Sequence, residues 1–274
     1  MSRTLTDKTI LMSGGSRGIG LAIAQRAAAD GANVVLLAKT AEPHPKLEGT
    51  IYTAAEAIEE VGGKALPVVG DVRVDSDVRN VVAQAAERFG GIDIVINNAS
   101  AIDLTGSEHI DMKRYDLMQD INTRGTFLLS RSAVPHLRNA DNPHILTLSP
   151  PLNLAPHWPG AHLAYTLAKY GMSLCTLGLA HEFAKDGIAA NSLWPRTLID
   201  TAAVRNVLGG ADRSRTPQIV ADAAYAILTR DSRQCTGQLL IDDEVLAEEG
   251  STDLRHYRAG DEGADLKLDI FLDA

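Results

Sequence analysis

Tyr165 and Lys169 stand four residues apart in the run YTLAKYG. On a helix, residues i and i+4 share one face and lie about 5–6 Å apart. An ammonium held beside a phenol favours the phenolate, so Lys169 is expected to lower the pKa of Tyr165. The chemistry such a pair serves is proton donation and acceptance near neutral pH. Two ordinary surface residues would produce the same spacing, so the surrounding elements have to decide.

A second candidate is the run SGGSRGIG, in which Gly14, Gly18 and Gly20 flank Ser16, Arg17 and Ile19. Glycines at such positions allow a tight turn, a close approach of a pyrophosphate to the backbone, and close packing of helix on strand. The phosphate then meets the unpaired N–H groups at the positive end of a helix. The run lies between the apolar TILMS and the helix-like GLAIAQRAAAD, the context that such a loop requires. At the end of the next apolar run, VVLLAKT, Ala38 and Lys39 stand where an NAD site places an acid for the ribose 2′-hydroxyl. Lys39 and Arg17 together suit a 2′-phosphate, so the expected cofactor is NADP rather than NAD.

The elements that would position these residues recur along the chain. TILMSG (9–14), NVVLLA (33–38), KALPVVGD, IDIVINNAS, HILTLS (144–149), GIAANSLW (187–194) and GQLLID alternate with helical patterns, including a long helix around 114–138 and the helix holding Tyr165. Continuous Val/Ile/Leu runs separated by crossover helices indicate a parallel sheet covered on both faces. Right-handed crossovers then lead to a doubly wound, Rossmann-type α/β sheet in a single domain, with its ligand crevice at the carboxyl ends of the strands. The main irregular insert is KTAEPHPKLEGTIYT (39–53).

The bulk numbers bound the partners. The 274-residue chain has a net charge of −9, which argues against nucleic acid. Eleven of its acidic side chains and three of its basic ones lie in 242–274, where DLKLDIFLD alternates apolar Leu266, Leu268, Ile270 and Leu272 with polar neighbours. That is the period of a half-buried strand, expected to dock on its own subunit or on a neighbour. No apolar run is long enough to span a bilayer, and MSRTLTDKTILMSGG lacks the features of a secretory signal. Cys175 and Cys235 are far apart and in no metal-binding spacing, so the expected setting is cytoplasmic, without metal, membrane or nucleic acid.

Taken in order, SGGSRGIG, GDV at 70–72, NNAS at 97–100, Asn122 in INTRGTF, and YTLAK resemble the short-chain dehydrogenase/reductase family over roughly residues 5–245. The resemblance implies that Tyr165 is the general acid/base and that Lys169 binds the nicotinamide ribose. Asp71 and Val72 would meet the adenine, and Asn98, Ala99 and Ser100 would line the adenosine side. Asn122 would kink its helix and hold the water of a proton relay. Pro195 and Thr201 would face the cofactor's carboxamide or phosphates. Residues 1–249 would form the dehydrogenase domain and 250–274 an acidic extension. Family members usually pair the two long helices, so a homodimer or homotetramer is expected.

Two departures stand out. The family's serine pair after the fifth strand is replaced by Ser149 and Pro150 in TLSPPLNLAP, sixteen residues before Tyr165. Either Ser149 still polarises the substrate carbonyl, or Asn153 or a backbone N–H takes its place; the sequence leaves both open. The usual Pro-Gly after the sixth strand is Pro195-Arg196, with Arg196 either an anion-binding group or a surface cation. Trp158 and Trp194 are candidate walls of an apolar pocket. The expected activity is hydride exchange between NADP(H) and a carbonyl or secondary alcohol of an apolar, lipid-like small molecule. The alternatives are an enoyl-thioester reductase and a non-catalytic dinucleotide-binding sensor.

Overall fold

A computed structural model describes residues 3–43, 48–260 and 263–273. Seven strands, β1 (Thr9–Ser13), β2 (Asn33–Ala38), β3 (Lys64–Val69), β4 (Ile94–Asn97), β5 (His144–Thr147), β6 (Ala189–Trp194) and β7 (Leu239–Ile241), form one sheet in the order β3-β2-β1-β4-β5-β6-β7. Every pairing is parallel, as the runs of buried Val, Ile and Leu require. The order reverses between β1 and β4, which opens a crevice beyond their carboxyl ends.

Each face of the sheet carries its own core. On one side α1 (Gly18–Ala28), α2 (Ile51–Glu60) and α8 (Gln218–Leu228) bring Ile23, Ile58 and Ile227 against Ile10, Leu36 and Ile96. On the other, α3 (Asp75–Phe89) and α5 (Gly125–Leu137) bring Val78, Leu129 and Ala133 against Leu11, Val35 and Val95. The alternation of side chains across each strand sends neighbouring residues to opposite cores. Leu179 and Ala180, near the end of α7 (Leu163–Glu182), join the second core. A third cluster sits at the mouth of the crevice and gathers Tyr165, Tyr170, Trp194, Ile241 and Phe271.

The structure differs from the sequence expectations in three places. The long helix around 114–138 is α4 (Met112–Met118), a π-helical segment Gln119–Arg124, and α5. The wide turn lies where the Asn122 side chain leaves the helix to bind the backbone of Ala101, accepting from its N–H (2.8 Å) and donating to its carbonyl (3.1 Å). The acidic C-terminal stretch opens with a helix, α9 (Asp242–Glu248), whose first turn holds Asp242, Asp243 and Glu244 at the positive helix end. Beyond it, 266–273 docks on its own chain, but as a strap with one antiparallel bridge, Thr197 to Leu268. Its most buried side chains are Asp269 and Phe271, on the face opposite Leu266, Leu268, Ile270 and Leu272. Part of the 39–53 insert, residues 44–47, lies outside the described residues.

Candidate active site

The crevice has a volume of ≈ 1020 Å³ and runs from the loop after β1 to the amino-terminal part of α7. Its first end is a backbone cradle. Gly14 has φ +75°, and a Cβ there would stand 2.7 Å from Ala99 Cα. At Gly20 a Cβ would meet Asn98 Nδ2 at 2.5 Å and the Gly14 carbonyl at 2.7 Å. Asn98 Nδ2 donates to that carbonyl at 2.7 Å, so the loop is tied to the end of β4. Helix α1 starts at Gly18 with neither a side-chain cap nor an acid in its first turn. Its amino end therefore presents unneutralised N–H groups to the crevice, the donor set that a pyrophosphate takes. These residues fit a dinucleotide.

Ser16, Arg17, Gly18, Ile19, Lys39, Asp71, Val72, Asn98, Ala99, Ser100, Pro195 and Thr201, all expected at the cofactor, stand on the crevice wall with Gly14. Against the upward pull of its burial, the Arg73 guanidinium and N–H and nearby Lys39 hold the Asp71 carboxylate at about pKa 2. Lys39 Nζ lies 3.4 Å from that carboxylate. Arg17 donates to the Gly49 carbonyl at 3.0 Å, while its Nε is buried with no partner among the described residues. Glu48 also lines this end.

The other end is built by α7. Tyr165 and Lys169 are one turn apart, both buried and both on the crevice wall. Lys169 Nζ donates to the Leu148 carbonyl (2.8 Å) just past β5 and lies 5.0 Å from the Trp194 ring centroid. Burial pushes the ammonium down to about 7, against the attraction of the Asp269 carboxylate. The Tyr165 phenol lies above its ordinary value. Burial drives the phenol upward and Asp269 adds to the rise, while a hydrogen bond with Ser100 opposes it. Desolvation dominates because the phenolate would be buried in the aromatic cluster.

Two expected catalytic residues stand back from the wall. Asn122 is fully buried, with both side-chain amide atoms committed to Ala101. Ser149 is fully buried too, and its Oγ has no partner among the described residues. Asn153, the other candidate for the carbonyl, gives its amide to Phe271 O (3.4 Å) and to Asp273 Oδ2 (2.7 Å). Arg196 does not face the crevice wall either; its guanidinium pairs with Asp243 at 3.1 Å and with Glu244. Sequence reasoning missed Asp269 and Ile270, which come from the C-terminal strap to line the crevice beside Lys169. The alternation singled out Ile270 together with Leu266, Leu268 and Leu272 as docking residues, and it pointed away from Asp269.

A profile of the short chain dehydrogenase family matches residues 8–209. The chain belongs to that family. Hydroxysteroid dehydrogenase-like protein 2 of Danio rerio is 56% identical over 272 residues, 98% of this chain and 65% of the zebrafish protein. The chain therefore spans just under two thirds of that relative's length. A short chain dehydrogenase crystal structure from Mycobacterium thermoresistibile superposes with a TM-score of 0.94 at 55% identity, over 99% of this chain and 97% of that one. A more distant structure, an NADH-dependent reductase complexed with NAD, matches at 27% identity with a TM-score of 0.71, over 88% of this chain and 97% of that one. The family makes this chain an oxidoreductase that uses a nicotinamide dinucleotide. Among the described residues no helix is long and apolar enough to cross a membrane.

Proposed function

We propose that this dehydrogenase exchanges hydride between NADP(H) and the carbonyl or secondary alcohol carbon of an apolar, lipid-like molecule, with Tyr165 as general acid and base. The observation that carries the reading is the placement of Tyr165 and Lys169 on one wall, at the far end of a crevice that begins at an uncapped helix terminus. When bound, the nicotinamide dinucleotide supplies or accepts the hydride. Tyr165 gives its phenolic proton to the carbonyl oxygen in reduction and takes it back in oxidation. Lys169, fixed by the Leu148 carbonyl, holds a positive charge near the phenol. Ser149, immediately after Leu148, has no hydroxyl partner among the described residues but lies off the crevice wall, and Asn153 is committed elsewhere, so neither side chain is assigned to the substrate oxygen. Asn122 acts through Ala101 by holding the segment whose Ser100 meets the phenol.

The choice of NADP rests on Lys39 and Arg17 at the adenosine end and on the absence of an acid directly after β2. An apolar substrate suits a wall that includes Ile102, Trp194 and Ile270. Association as a dimer or tetramer goes with this reading, because Phe127 on α5 and Leu163, Leu167 and Leu174 on α7 remain exposed. Two free cysteines go with a reducing, cytoplasmic setting.

The test is Tyr165→Phe. The ring stays in its cluster and only the hydroxyl and its bond to Ser100 are lost, so dinucleotide affinity should persist while kcat falls by about 10²–10⁴. A variant that turns over ketones at a wild-type rate would end the proposal.

A further inference from the structure

Resting on the carbonyl/alcohol reading above, we infer that Asp269 is the counter-charge of the buried Lys169 ammonium, and that carbonyl reduction depends on this carboxylate to keep Lys169 charged and Tyr165 protonated.

A buried ammonium needs a compensating anion, because hydrogen bonds to neutral groups do not replace the hydration it has lost. Lys169 is 3% exposed, and its Nζ donates to the Leu148 carbonyl at 2.8 Å and reaches the Met172 sulfur at 3.8 Å. Both acceptors are neutral. Four carboxylates stand on the crevice wall, those of Glu48, Asp71, Asp200 and Asp269. Glu48 and Asp71 belong to the adenosine end, where Asp71 pairs with Lys39 and Arg73. Asp200 pairs with Arg205 at 2.7 Å. Among the described residues of the wall, Asp269 is the carboxylate left for the Lys169 end.

Its position is built by the fold. Asp269 N–H donates to the Arg196 carbonyl at 3.0 Å, and Trp194 Nε1 donates to the carbonyl of the next residue, Ile270, at 3.1 Å. The same Trp194 ring lies 5.0 Å from Lys169 Nζ, so one side chain both anchors the strap and faces the ammonium. The Asp269 carboxylate accepts the Ile270 N–H at 2.7 Å and is buried on the wall. Desolvation pushes carboxyl and ammonium towards their neutral forms, and the attraction between them opposes it on both. The other titratable groups facing Asp269 are the Tyr165 phenol, Lys267 on the strap and Asp242 at the start of α9. Lys267 is exposed. Asp242 is fully buried and accepts the Arg196 N–H at 2.8 Å, with Asp243 and Arg215 beyond it; its charge works against ionisation of Asp269.

Carbonyl reduction needs a proton on the phenol and a charge on the ammonium. An anion beside both makes each group hold its proton more tightly. Without that anion both groups release their protons at lower pH, so the two effects add.

The experiment follows the pH profile of kcat/KM for NADPH-dependent reduction of cyclohexanone and 2-decanone by the wild-type protein, Asp269→Asn and Asp269→Glu. Asparagine matches aspartate in shape and retains an acceptor for the Ile270 N–H. In Asp269→Asn the alkaline limb should move down by at least about one pH unit, with an about tenfold loss of kcat/KM above it, the scale of one opposite charge near an ionised group. Asp269→Glu restores the charge and should recover part of that shift. Asp265→Asn removes an exposed acid from the same segment and should leave the profile in place. A wild-type limb in Asp269→Asn overturns the inference. An asparagine-like limb in Asp269→Glu does so too, as does an equal loss at every pH, which would make Asp269 a structural anchor. The NMR signal of the Lys169 ε-carbon, assigned with Lys169→Met, provides a readout independent of turnover. Its titration midpoint should fall by at least about one pH unit in Asp269→Asn, and an unchanged midpoint means that Asp269 is not the counter-charge. Wild-type protein that reduces neither ketone, yet shows the midpoint change, would refute the carbonyl reading and leave the charge pair standing.

Discussion

His144, at the start of β5, offers a stability prediction that can be worked through in numbers. Its imidazole is 1% exposed, Nε2 lies 3.1 Å from the Arg230 carbonyl, and Nδ1 has no partner among the described residues. Burial pushes its pKa from 6.5 down to about 4, against the pull of that carbonyl. The folded chain thus keeps the ring neutral, whereas the unfolded chain binds a proton below about pH 6.5. Because the unfolded state holds more protons between the two values, stability rises with pH across that window. The contribution is fully present above the unfolded value and is lost as pH falls from 6.5 towards 4. The gap of about 2.5 pH units, at 1.36 kcal/mol each, amounts to about 3 kcal/mol, of which about 2 kcal/mol is gone by pH 5. Asp242 and Asp269, raised by burial to about 6 and about 7, slope the other way, so the wild-type curve alone does not isolate the histidine. The perturbation is His144→Gln, which retains a donor for the Arg230 carbonyl but does not titrate. Urea unfolding of both proteins at pH 7.5, 6 and 5 yields the difference between them, in which the aspartates cancel. The wild-type protein should lose about 2 kcal/mol relative to the variant between pH 7.5 and pH 5. A difference that stays flat across that range would refute the claim that a neutral, desolvated ring is required.

Three further outcomes are expected. Gly20→Ala would bring a methyl within 2.5 Å of Asn98 Nδ2 and 2.7 Å of the Gly14 carbonyl, so it should open the cradle; calorimetric titration should show dinucleotide affinity reduced by at least about tenfold. Lys39→Ala should weaken NADPH about tenfold and leave NADH nearly unchanged, the loss of one charged contact to a phosphate; equal losses for both dinucleotides would favour NAD as the cofactor. Gly171 lets α7 approach the π-helical segment so closely that a Cβ would stand 2.4 Å from Thr123 Oγ1. Gly171→Ala should therefore cost about 1–3 kcal/mol in urea unfolding, as overpacked sites do.

Much of the site was legible because its recognition uses local signals. The glycines of the first loop are demanded by backbone geometry, and Tyr165 and Lys169 share a helix face by spacing alone. The loop after β5 was less readable. Pro150 and its neighbours displace the usual hydroxyl, and only the fold reveals that Asn153 serves the C-terminal strap while Ser149 Oγ has no partner among the described residues. Arg196, equally ambiguous by type, turns out to neutralise the first turn of α9 through Asp243 and Glu244.

By itself the sequence determined the parallel sheet, its crossover helices, the phosphate cradle and the Tyr–Lys pair, because periodicity and glycine placement act over a few residues. The tertiary structure alone decided the environment in which that pair works. Asp269 reaches Lys169 from a hundred positions downstream, and Phe271 stacks on Tyr165 from the face of the strap opposite Leu266, Leu268, Ile270 and Leu272. The direction in which the phenol's acidity moves follows from this packing, since desolvation depends on which distant segments exclude water and no local pattern records that.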